Sequence, residues 1–321
     1  MRRACLTVCM TLLGSGVASA QVLLTQPAKF PIKISRPGSY RLTENLDVKG
    51  GDAIDVLASN VTIDLNGFSI VGSSVKSSGI GINAAKMAFV KVANGSILNM
   101  AGSGLVLGGN GAVNGVSVNG NGADGIDCGN DCALIDDSVT NNAAYGILAG
   151  ANAIVRGNSA NDNHNGFGIA VGNGSSVTEN VANDNAVGGI RGSTNSTPCN
   201  CRIVGNTANG NVIGIVVADF GVITGNVADG NGSFGICGGK SSTIAGNTAS
   251  SNTGPGIIGF AGSLIQGNTL MGNQSVGIQF MDDGGTGGYG LNVLLGNVGG
   301  DVSGGHSQGA GNTNLCSGAN C

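Results

Sequence analysis

The 321-residue chain carries 14 Lys and Arg against 18 Asp and Glu, and it has no Trp, three Tyr and eight Phe. Charge this sparse, with no Lys/Arg run, excludes an electrostatic nucleic-acid surface, and so few rings exclude an interior filled by large aromatics. Sixty-one glycines combined with positive mean hydropathy and regularly placed aliphatics point to a thin interior of Val, Ile, Leu and Ala, not to low-complexity disorder.

Residues 1–20 read as a signal peptide. Arg2 and Arg3 form a basic start, Ala4 to Val17 is mostly apolar, and Ala18-Ser19-Ala20 has the small-x-small form of a cleavage site. The expectation is an exported chain beginning near Gln21, destined for the periplasm, the cell surface or the medium. No stretch reads as a transmembrane segment. Without Arg2 and Arg3, 12 basic residues face 18 acidic ones, a formal charge near −6. Seven cysteines follow the signal. Cys128/Cys132, Cys199/Cys201 and Cys316/Cys321 form close pairs, expected to be disulfide staples in an oxidising compartment, with Cys237 left over. Zinc is the alternative, but His164 and His306 show no ligand spacing to these cysteines.

Residues 21–50 are expected to form an N-terminal cap, 51–303 a repeat array, and 304–321 a Gly/Ser/Asn-rich tail. Asparagines anchor the array: Asn158, Asn180, Asn206, Asn226, Asn247, Asn268 and Asn297 are spaced by 22, 26, 20, 21, 21 and 29 residues. The two long intervals hold the insertions 192–201 and 282–290. Five residues after six of the anchors comes a second Asn, such as Asn211 or Asn231, and then Gly-Ile, as at Gly214 and Gly235. Weaker copies run upstream, with Gly125, Gly104 and Gly79 in the Gly-Ile place. Each unit holds three apolar patches of three to five residues divided by Gly/Asn turns, which read as strands. Units of roughly 21 residues cannot fold alone and are expected to stack as a solenoid of about eleven coils. The spacing of ~4.8 Å between coils would then bring equivalent asparagines together as amide ladders.

The units "GNxAxxNxxxGI", with "PIKISRPGSYRLTENLDV" and "AIDVLASNVTIDLNGFSIVG" ahead of them, resemble the repeats of right-handed parallel β-helix proteins, the pectate-lyase-like superfamily and its periplasmic relatives. The resemblance covers roughly residues 50 to 303. It implies an all-β, right-handed parallel β-helix with three short strands per coil. Such a fold hosts many activities, so function rests on a site.

In carbohydrate-active members the site lies, by this resemblance, along the strand that follows Gly-Ile. If Ile points inward, the next residue points outward. That row starts at Asp127 and runs through Leu148, Ala170, Arg191, Val216 and Cys237 to Gln279. Asp127, Arg191 and Arg202, with the insertion at 192–201, are the catalytic candidates for a polysaccharide lyase, hydrolase or epimerase. Yet the row is mostly apolar. The "YGFDPH" segment of epimerase-like repeats is reduced in "DGIDCG" to Gly125 and Asp127, and no His-Gly or "RIK" segment accompanies Asp136-Asp137 or Asp282-Asp283. A non-catalytic exported scaffold that binds a glycan or another surface is therefore favoured over an enzyme. Tyr145, Phe167 and Phe234, just before Gly-Ile, could form a sugar-binding edge or pack at a turn. Asp162 and Asp184, one coil apart and flanked by amides, could hold a hard cation such as Ca2+, though no cofactor is required.

Overall fold

The computed structural model describes residues 21–72, 79–193, 198–281, 286–304, 307–308 and 314–316. The signal segment, Asp282-Asp283, His306 and Cys321 lie outside these residues. Every described strand is β and every pairing is parallel, between one coil and the next.

The fold is a parallel β-helix. Sheet I has thirteen strands, from Ile32–Ile34 to Val302–Ser303, so the stack has about thirteen coils, in keeping with the roughly eleven expected. Its core includes Ile126–Cys128, Ile147–Ala149, Phe167–Val171, Gly188–Gly192 and Ile213–Val217. Register is strict: Ile126 aligns with Ile147, Ile147 with Ile169, Ile169 with Ile190, and Ile190 with Ile215. All five are fully buried. Sheet II stacks a second buried row, Val155, Val177, Ile203, Ile223 and Ile244. The third side is the shortest. It runs as strands such as Ser138–Thr140, thins to single bridges from Ser159 to Thr269, and recovers at Thr269–Met271. The cap region already takes part, because Ile32–Ile34 pairs with Ile54–Val56 and Gly38–Leu42 with Val61–Asp64.

The asparagines form two buried ladders. The first runs from Asn158 through Asn180, Asn206, Asn226, Asn247 and Asn268 to Asn292, and the second from Asn121 to Asn297. Asn297, expected in the first ladder, belongs to the second; Asn292 holds its place, and the interval is 24 residues. Each rung is satisfied three ways. Asn226 Nδ2 donates to Asn247 Oδ1 and to Ile203 O, both at 2.9 Å, while Asn226 N donates to the same Oδ1 at 2.9 Å. A buried amide with all its partners fixes the coil spacing, since a shift of either chain would strand several groups at once. The left-handed backbone belongs to the residue before each rung, for example Gly225 at φ 65° and Leu291 at φ 58°.

The Gly-Ile glycines answer a different need. A Cβ on Gly235 would lie 2.7 Å from Gly256 O and 2.8 Å from Asn252 Nδ2, so the second ladder leaves no room for a side chain. At the first coils the equivalent glycine is Gly81, not Gly79: Ile82 N donates to Gly104 O as Ile126 N does to Gly146 O.

One rung breaks the pattern. Asp137 heads the first ladder, 2% exposed, with Oδ1 accepting from Val116 N at 2.8 Å. Its own N donates to Asn158 Oδ1, and its Oδ2 has no partner. Burial pushes the carboxyl up to about 7. The protonated acid is the form that suits this place, because an O–H can replace the N–H that an Asn would present to the next rung.

Candidate functional site

The outward row of sheet I is the surface on which chemistry accumulates. Because side chains alternate across a strand, the residue after each buried Ile points out of the coil, although Ala170 is covered there. The register makes Val106, Asp127, Leu148, Ala170 and Arg191 vertical neighbours, followed by Val216, Cys237, Ile258 and Gln279. Upstream the same row contains Lys33, Asp55 and Asn83. The sequence carried the signal for Asn83, which follows Gly81-Ile82, but not for Asp55, whose coil begins Ala-Ile.

Three polar clusters interrupt this row. Near the N-terminal end, Asp52 Oδ1 accepts from Ile80 N at 2.8 Å and Oδ2 from Asn83 Nδ2 at 2.9 Å, which locks both side chains. Beside them, Asp55 Oδ1 has no hydrogen-bond partner. Burial, then the neighbouring Asp52, pushes the Asp55 carboxyl up, while Lys33 opposes this. Asp52, Asp55 and Asn83 line a cavity of about 310 Å³ together with Leu57, Lys86 and Met87.

Three coils on, Asp127 sits with Asp124, whose Oδ1 accepts from Tyr145 N at 3.0 Å. Burial pushes both carboxyls up, and for Asp127 the charge of Asp124 adds to the effect. Tyr145 is half-buried at the rim of the next coil.

After three more coils comes Arg191. Its guanidinium lies over the Phe167 ring at 5.9 Å, and its Nε donates to Ser193 O at 3.2 Å. Arg191, Val216, Cys237 and Phe260 line a cavity of about 260 Å³, close to the ~300 Å³ lower bound of small-molecule sites. Burial pushes the Cys237 thiol up to about 12, so it is a small apolar surface here and not a nucleophile.

Not all sequence candidates converge. Arg202 begins Arg202–Val204 in sheet II, beside Ser176 and Val222, and so lies on another face from Asp127 and Arg191. Phe167 is 5% exposed beneath Arg191, where it supports the cation and offers no free ring face. Phe234 is half-buried at the turn before Gly235. Asp162 and Asp184 occupy equivalent left-handed corners at φ 55° and 56°, both exposed. The flanking amides are already engaged: Asn161 Oδ1 accepts from Asn183 N, and Asn183 Oδ1 from Asn209 N. Disulfides join Cys128 to Cys132 and Cys199 to Cys201, with Cα–Cα distances of 6.3 and 4.9 Å, at the corner between sheets I and II. Cys316 is also disulfide-bonded.

Fold and face together define a parallel β-helix with a long, irregular outer row on one sheet. Residues 151–304 match the family described as periplasmic copper-binding protein (NosD). Among solved structures, the chain is similar to the A-module of mannuronan C-5 epimerase AlgE6 of Azotobacter vinelandii, at 17% identity over 92% of this chain and 89% of that one, with a TM-score of 0.57. The AlgE4 A-module of the same organism gives 14%, 88%, 91% and 0.53. Tailspike protein 3 of bacteriophage CBA120 gives 13%, 94%, 57% and 0.58. No curated protein sequence matches significantly.

The family description mentions copper, whose sites draw on imidazole, thiolate or thioether donors. Within 151–304, His164 is exposed at a turn, Cys199 and Cys201 are bonded to each other, and Cys237 is half-buried. Among the described residues no three His, Cys, Asp or Glu side chains cluster. Met271, on the third side, and Met281, after the sheet I strand Ile278–Phe280, are exposed on different faces, so the described donors of this region do not fit a resident copper ion.

Proposed function

We propose that the protein is an exported β-helix that binds a polysaccharide along the outer row of sheet I without processing it. The observation that carries this reading is the cavity at Arg191: a cation fixed by Phe167 and Ser193, an apolar floor of Val216 and Cys237, and a wall from Phe260. Such a site suits a sugar ring, with an apolar face for the floor and an acidic substituent for the guanidinium. Support comes from the neighbours, two of which act on mannuronan by name, and from the family description, which is consistent with a periplasmic location. A binding role is favoured over catalysis because Asp127 and Arg191 stand three coils apart, on the order of 14 Å. That exceeds the reach of a shared proton transfer.

The test is affinity electrophoresis of the folded protein through gels containing neutral and acidic polysaccharides, with parallel analysis for new chain ends and altered sugar configuration. Retardation without product is expected, and Arg191→Ala should weaken the retardation by acidic polysaccharides about tenfold. Product formation by the wild type would overturn the non-catalytic reading, and migration unaffected by every polysaccharide would overturn binding.

A further inference from the structure

The charge order along the outer row says what kind of polysaccharide would fit it, granted the binding reading above. Asp55, Asp127 and Arg191 are separated by equal steps of three coils, roughly 14 Å each. One sugar ring advances a chain by about one coil spacing, so a chain lying in the row meets these groups at intervals of a few residues.

Arg191 is the row's one cation after Lys33. The structure gives its Nη groups no protein acceptor among the described residues, while Nε is held by Ser193. It is therefore a subsite for a single carboxylate. Asp127 makes the opposite demand. It shares its surroundings with Asp124, and no cation stands in the row within two coils on either side. A uronate there would face carboxylates in a partly desolvated setting, which is repulsive. An uncharged ring fits instead, its hydroxyls donating to Asp127 and its apolar face resting on Leu148 beside Tyr145.

At the third station, Asp52 and Asn83 are mutually fixed and Asp55 keeps an unpartnered oxygen, within a cavity that also presents Leu57 and Met87. Carboxylate and amide oxygens over an apolar wall are suited to vicinal hydroxyls, and Lys86 and Lys33 balance the acid pair. This place also accepts a neutral ring.

We infer that the ligand is a sparsely acidic heteropolysaccharide, held with an acidic sugar at Arg191 and uncharged sugars over Asp127 and Asp55. A densely charged polyuronate satisfies the first station and is rejected at the second.

A series that varies charge alone tests this. The probes are a soluble glucan, the same glucan oxidised to carboxylate at a small fraction of its C6 positions, and its fully oxidised polyuronate, with affinity measured by gel retardation. The sparsely oxidised form should bind about tenfold tighter than either end of the series, the equivalent of one charge-assisted contact. Polyuronate binding as tightly as the sparse form would overturn the inference while leaving polysaccharide binding intact. Failure of all three to bind would overturn the binding reading itself. The Asp124→Asn/Asp127→Asn double variant sharpens the result: it should bring polyuronate binding up toward that of the sparse form, and an unchanged gap would also overturn the inference. The Asp55→Ala/Asn83→Ala double variant should weaken long chains and leave short acidic oligosaccharides at Arg191 unaffected, and equal losses for both would contradict the third station.

Discussion

Two rows of sheet I lie one residue apart on the same strands and differ completely. The inward row repeats Ile at 126, 147, 169, 190 and 215, each fully buried. The outward row changes from Asp127 to Leu148, Ala170, Arg191 and Val216 over the same coils. Stacking imposes one requirement on every inward position, and the buried Asn ladders extend that requirement to the corners. Outside, contacts between coils are local, such as Asp52 with Asn83 and Arg191 with Phe167, and no single residue type is imposed on the whole row. Uniformity therefore marks what holds the solenoid together, and departures from it mark where a ligand can be distinguished.

The strongest way to break this contrast is to damage the uniform part. Asn231→Ala removes a rung that donates to Ala208 O and Asn252 Oδ1 and accepts from Asn211 N. Several buried groups would lose partners at roughly 1–3 kcal/mol each, so destabilisation on the order of 5 kcal/mol is expected in guanidinium titration. A change below 1 kcal/mol would show that the ladder is not structural.

Asp137→Asn should act the other way, by making an odd rung conform. Its folded carboxyl titrates near 7, above the unfolded value of 3.8, so the folded state binds the extra proton between those limits. The contribution of Asp137 to stability is then fully present below about pH 4, declines as pH rises toward 7, and is lost beyond. The shift corresponds to a loss on the order of 4 kcal/mol. The Asn variant should remove this slope, gaining most of that amount at pH 8 and little at pH 4. Denaturation midpoints across pH check it, and parallel profiles for the two proteins would contradict it.

Gly235→Ala should be milder, at about 1–3 kcal/mol, because its Cβ meets the backbone and ladder amide of the next coil. Arg191→Ala should be the mildest of all for stability, within roughly 0.5 kcal/mol, since the side chain lies outside the core. Its effect should show only in binding.

The repeat explains what was legible in the sequence. Gly-Ile fixes which residue faces out, so the row from Asp127 to Gln279 and its predominantly apolar character follow from spacing alone. The error at Asn297 has a physical origin: the rung at Asn292 is preceded by Leu291, not Gly, so the corner loses its sequence mark although its backbone is the same. Asp55 was hidden because its coil has Ala53 where later coils have glycine. The cation over Phe167 and the Asp52–Asn83 bond unite residues from different coils, and only side-chain packing reveals them. Arg202 reads as a neighbour of Arg191 along the chain, but the corner at Cys199–Cys201 turns it onto another sheet.

A crystal structure of the protein with a bound, sparsely acidic oligosaccharide tests the surface assignment most directly. Sugar rings should lie along the outer row of sheet I with a carboxylate on Arg191. Rings found on sheet II, or at the ends of the stack, with the Arg191 cavity empty, would contradict it.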